Sequence, residues 1–292
     1  MKRHIYLKVE YGEGYDAEKP YDIDVENGLR LKSSKHLNYS IGTIRHWEKS
    51  RIRIVTVPYM HLKEYLSKHH QEVLIISASV GDLRGSFWLK DYSSEIYMIT
   101  SAGNEDSEGE TALAKKPYWT AIAAITPTMR HKDYSSWGFG AVTYSGITGI
   151  PIEYWDGGDW KVSTEVTGVK EGTSFSVDQH GAMVWNMASD FFRKFGRDIT
   201  RKEITATVDK YVTDIGELGF DLKTGKGYYE YREGELYMIP KDLHTAPEWA
   251  QDSLQRMVND GILKGDENGN IHPNEPLTLA RYAVLRDRDL GK

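Results

Sequence analysis

The period of the hydrophobic positions changes along this chain, and each change predicts an element. Near the N-terminus Ile5, Leu7 and Val9 alternate with polar residues, which predicts a strand. Tyr11-Gly12-Glu13-Gly14-Tyr15 reads as a turn, and most of 16–40 is polar and loop-like. From residue 52 strand and helix patterns alternate. Ile52 to Val57 is β-rich and stops at Pro58, and 59–70 carries Met60, Leu62, Tyr65 and Leu66 at near-helical spacing. Val73 to Val80 is a continuous apolar run, as expected of a parallel strand buried on both faces. Residues 86–93 suit a short helix; Ile96 to Thr100 and Trp119 to Ile125 read as two further buried strands. Such alternation predicts an α/β layer architecture with a mostly parallel sheet.

Beyond residue 138 the pattern loosens into short strands and loops, with a hairpin turn at 154–160. Val177, Met183, Val184, Met187, Ala188, Phe191 and Phe195 then form the wide stripe of a long helix that Gly196 ends. A second helix runs over 200–213, where Thr200 and Glu203 have capping-box spacing. Composition shifts near 238–246. In the following fifty or so residues Trp249, Leu254, Met257 and Val258 read as one helical face, with Ile262 and Ile271 completing a small core.

With 292 residues the chain is long enough for one large domain or two smaller ones. A net charge of -6 argues against a dedicated nucleic-acid binder. No cysteine is present, which excludes disulfides, thiolate metal sites and cysteine nucleophiles. No cofactor or metal site is expected; His61, His69 and His70 read as solvated groups around a helix end. The N-terminus lacks the apolar stretch of a secretory signal, and no run is apolar enough to span a membrane.

Glu171-Gly172-Thr173-Ser174-Phe175-Ser176 feeds directly into the long helix. Upstream, Ser77-Ala78-Ser79-Val80-Gly81-Asp82 closes one buried strand, Ser101-Ala102-Gly103-Asn104-Glu105 follows the next, and Asp133-Tyr134-Ser135-Ser136-Trp137-Gly138 follows the third. In order and context these segments resemble the subtilisin-like serine proteases over roughly residues 50–230. The resemblance implies that Ser174 is the nucleophile position, that Asn104 supplies an oxyanion donor with the Ser174 N–H, and that Ser79, Val80 and Gly81 form the edge on which substrate pairs. A serine hydroxyl needs a histidine to take its proton and an acid to orient that histidine. Here the family's His-Gly-Thr is Ile41-Gly42-Thr43, and its Asp-Thr/Ser-Gly turn is Gly12-Glu13-Gly14, so isoleucine and glycine stand at the base and acid positions. The family's Pro-His after the nucleophile is Asp178-Gln179. Removing the histidine of a subtilisin triad costs roughly 10⁶-fold in turnover.

Ala246-Pro247-Glu248-Trp249-Ala250, Asn259 to Asp266 and Gly269 to Thr278 resemble a single S-layer homology module, with Thr278-Leu279-Ala280-Arg281 in place of Thr-Arg-Ala-Glu. That family binds secondary polysaccharide of the Gram-positive cell wall; a packing or dimerisation role for the module is the alternative. The combination resembles proteins encoded by phages and prophages, which implies the host cytoplasm or the virion. The expected architecture is a three-layer α/β/α subtilisin-like domain over 1–240 and an S-layer-homology-like helical module over 243–292. The expected function is that of a degenerate, pseudoprotease-type domain binding a protein or peptide, with an active endopeptidase using Ser174 as the alternative. An assembly protein whose functional part is the C-terminal module is the third reading.

Overall fold

The computed structural model describes residues 1–10, 21–23, 35–50, 52–79, 85–109, 113–155, 160–162, 171–266 and 268–291. Five parallel strands follow one another across the middle of a single sheet: β3 (Arg53–Pro58), β1 (Ile5–Glu10), β4 (Val73–Ala78), β5 (Tyr97–Ser101) and β6 (Thr120–Ile125). β7 (Tyr144–Ile147) extends it in parallel beyond β6, and the short β2 (Tyr21–Ile23) closes the other edge antiparallel to β3. A separate hairpin joins β8 (Glu153–Trp155) to β9 (Trp160–Val162), with Trp155 paired to Trp160.

Period-two geometry divides the strand side chains between two cores. On one face Ile5, Leu7, Val9, Val55, Val57, Ile76 and Met98 meet Leu62 and Leu66 of α2 (Leu62–His69). On the other, Tyr6, Ile54, Ile75, Tyr97, Ile99 and Tyr144 meet α1 (Lys35–Trp47) and α3 (Thr173–Phe195). The result is a three-layer α/β/α arrangement. α3 crosses the sheet closely: a Cβ at Gly181 would lie 2.2 Å from the Tyr6 hydroxyl, so only glycine fits there. The left-handed Gly196 ends the helix, as its sequence indicates.

Several local expectations change. The stretch 35–40 is not loop but the first turns of α1. Residues 86–92 form a 3₁₀ segment, and α3 begins four residues before the predicted Val177. The turn at 11–15 lies outside the described residues.

The C-terminal part is packed on the sheet domain. Val258 of α5 (Glu248–Asn259) and Ile271 belong to the same apolar cluster as Trp185 and Phe191 of α3. Glu203, in α4 (Arg201–Tyr211), anchors the segment that leads into the C-terminal part. Its buried carboxylate completes the predicted capping box with Thr200, takes a bidentate pair from Arg197 at 2.6 and 3.0 Å, and accepts the Ile239 N–H at 2.9 Å. Trp249 does not join the predicted core and is 85% exposed. Nine residues separate it from the buried Val258, which at about 100° per residue places the two on opposite sides of α5. α6 (Leu279–Asp289) buries no residue among those described.

Candidate functional site

The first turn of α3 lies at the C-terminal ends of the parallel strands. Gly172 caps it with φ 144°, and Thr173 and Ser174 open the helix. Asn104, just past β5, reaches this turn: its Oδ1 accepts the Thr173 N–H at 2.9 Å and the Thr173 hydroxyl at 3.0 Å. Glu105 fixes the Asn104 loop by accepting the Asn104 N–H at 2.7 Å and the Ser136 hydroxyl at 3.3 Å. With its oxygen engaged, the exposed Asn104 side chain keeps its NH₂ end as the donor. The Ser174 N–H is one of the unsatisfied amides at a helix start. These donors, at the positive end of a long helix, suit a developing or resident negative charge.

Ser174 itself is 8% exposed. Among the described residues, no histidine nitrogen bonds its hydroxyl. Ile41 is fully buried in α1, within the apolar cluster that includes α3. The neighbouring Gly42 fits only because it has no side chain; a Cβ there would fall 1.5 Å from the Glu153 carbonyl oxygen. His46 is exposed and packs its ring on Trp47. His36, five residues before Ile41, sets its ring at a tilt with its centroid 5.6 Å from that of Phe175, the residue after Ser174. His180 is sealed inside α3 against Tyr97, Tyr144 and Tyr229, and burial depresses its pKa to about 3. Gly12, Val80 and Gly81 lie outside the described residues. The carboxylate residue that ends β1 is Glu10, paired in register with Pro58 and next after Val9, which pairs with Ala78. It stands two residues before the glycine aligned with the acid position, and periodicity gave it no special weight.

Sequence reasoning missed Lys8. Its side chain is fully buried on the α3 face of β1, where Nζ lies 2.6 and 2.8 Å from the two carboxylate oxygens of Asp178. Ser77 donates to the same carboxylate at 2.9 Å, and Tyr6 approaches at 3.4 Å. Burial, then the adjacent Asp178 charge, holds the Tyr6 hydroxyl well above its ordinary pKa. Lys8 also donates to the Ser79 hydroxyl at 2.5 Å, and Ser79 stands 3.5 Å from the Ser174 carbonyl. The residue in the family's proline position is thus half of a buried ion pair beneath the first turn of α3. The only sequence cue was an acidic residue inside an apolar helix stripe.

Comparison with solved structures resolves the architecture. The fold is subtilisin-like. A lanthipeptide protease superposes with a TM-score of 0.58 at 14% identity, covering 80% of this chain and 87% of its own. A psychrophilic subtilisin-like protease, Apa1 from the Antarctic psychrotroph Pseudoalteromonas sp. AS-11, gives 0.57 at 9% identity, over 78% and 92% of the two chains. The PatG macrocyclase, solved in complex with peptide, gives 0.54 at 12% identity, over 77% and 82%. A search of curated proteins finds no match.

Alongside this subtilisin-like fold, residues 241–280 match the S-layer homology domain family. Two carboxylates organise the segment. Asp242 accepts the Ile271 and His272 N–H groups at 2.8 and 2.7 Å. Asp266 accepts those of Asn268 and Asn270, both at 2.9 Å, and hydrogen bonds, the Asn270 amide foremost, lower its pKa to about 2. No cluster of three or more His, Asp or Glu fit for a metal ion occurs among the described residues, and no helix there is long and apolar enough to cross a membrane.

Proposed function

We propose that this chain binds an extended peptide or unfolded protein segment at the N-terminal end of α3 and does not cleave it through Ser174. The observation that supports this reading is the Ser174 hydroxyl, to which no histidine nitrogen bonds among the described residues; Ile41, aligned with the family's histidine, is fully buried seven residues into α1. Without a base the hydroxyl supplies too little alkoxide to attack an amide at a useful rate. Recognition elements remain: the Asn104 amide, the α3 N-terminus, and the end of β4 at Ser79, where a peptide adding as a strand finds main-chain partners. Binding to cell-wall polysaccharide through the 241–280 module is the accompanying proposal, supported by the S-layer homology match.

A second reading, an active endopeptidase, is favoured by one contact, the His36 ring against Phe175. A swing of His36 toward Ser174 would supply the missing base. Incubation with fluorescein-labelled casein separates the readings. The binding reading expects raised polarisation with the casein intact on a gel, whereas fragments that disappear in both Ser174→Ala and His36→Ala would establish the second. A pull-down with purified wall polysaccharide, with and without Trp249→Ala and Arg281→Ala, addresses the module; no retention of the wild type would remove that proposal.

A further inference from the structure

The buried pair beneath α3 has a consequence for the hydroxyl it touches. An ammonium can only donate hydrogen bonds. The close acceptors of Lys8 are the two Asp178 oxygens at 2.6 and 2.8 Å and Ser79 Oγ at 2.5 Å, so its three N–H bonds are committed. Ser79 Oγ therefore accepts, and its single proton must point elsewhere. Among the described residues the acceptor that proton reaches is the Ser174 carbonyl, and 3.5 Å is long for an O–H···O bond. Ser79 is half-exposed and lies one residue past β4, beside the first turn of α3.

We propose that Ser79 is a ligand-facing hydrogen-bond donor of this site, held in that role by the buried Lys8–Asp178 pair. The ligand group it fits is a main-chain carbonyl oxygen of an extended peptide, so the inference rests on the peptide-binding reading above. A hydroxyl that accepts from a cation is polarised and becomes a stronger donor. Lys8 does not touch the ligand; it is a positioning residue. Packing alone does not account for the pair, because apolar side chains of similar volume generally replace a buried ion pair at no loss of stability. What such a replacement cannot supply is the N–H that fixes the rotation of the Ser79 hydroxyl.

Fluorescein-labelled casein, titrated with the full chain and read by polarisation, tests this. Ser79→Ala should weaken binding about tenfold, a 1.4 kcal/mol loss, and Ser79→Thr should retain it. The double variant Lys8→Met/Asp178→Leu should melt cooperatively and lose a similar factor. Adding Ser79→Ala to that double variant should cost nothing further, because the two changes remove one interaction. Equal binding by Ser79→Ala and wild type would overturn the proposal. So would a Ser79→Ala loss that is the same with and without the pair, or a double variant that cannot fold. Failure of the wild type to bind casein at all would instead remove the underlying peptide-binding reading.

Discussion

α3 and α6 are helices of the same chain made in opposite ways. α3 is buried along most of its length, takes polar residues into the core, and satisfies the charged one with a lysine from another strand. α6 buries nothing among its described residues and leaves Leu279, Tyr282 and Val284 exposed. Local devices set its start: the Thr278 side chain caps it by accepting the Arg281 N–H, and Arg281 pairs with Glu275. Caps and exposed pairs contribute about 1 kcal/mol or less each. Burial of a helix against a sheet contributes many times that, which is why α3 can carry an ion pair and an uncharged histidine inside it. Stability is concentrated where the candidate site is built and thins out toward the C-terminus.

The contrast can be broken by mutation, beginning with the largest effect. Asp178→Ala would leave the Lys8 ammonium buried and unpaired, and should cost roughly 3–5 kcal/mol in urea unfolding. An effect below about 1 kcal/mol would mean that water reaches the pair. His180 gives a pH signature. Its folded pKa is depressed to about 3, so below the unfolded value near 6.5 only the unfolded chain takes up the proton. Stability should therefore fall by about 1.4 kcal/mol per pH unit as pH drops from about 6 toward 4, a contribution that His180→Phe removes. Gly181→Ala weighs a helix-propensity gain of at most about 1 kcal/mol against a Cβ placed 2.2 Å from Tyr6 Oη. The clash should win, for a net loss of roughly 1–3 kcal/mol. At the thin end, Trp249→Ala should shift stability by no more than about 0.5 kcal/mol, since the ring is exposed. A loss of several kcal/mol there would show that another surface covers α5.

Much of the sheet was legible because parallel central strands need continuous apolar runs, and Val73 to Ala78, Tyr97 to Ser101 and Thr120 to Ile125 supply them. The Thr200–Glu203 box was legible because it is local; its second use, holding Ile239 and Arg197, is not written at any fixed spacing. Lys8 looked like the polar face of a half-exposed strand. β1 turned out to be central, which buries both of its faces, and the partner that makes a buried lysine tolerable lies 170 residues away. Such pairings carry no periodic signal. Trp249 failed for a simpler reason: apolar residues close in sequence were assigned to one face without counting the turns between them.

The most direct test of the central claim is a fluorophosphonate probe applied to the purified full chain at neutral pH, with intact mass and peptide mapping as the readout. A Ser174 hydroxyl that no histidine serves should show no adduct at Ser174 under conditions that label an active serine hydrolase to completion. Stoichiometric labelling of Ser174 that is lost in Ser174→Ala would contradict the account and establish a working nucleophile.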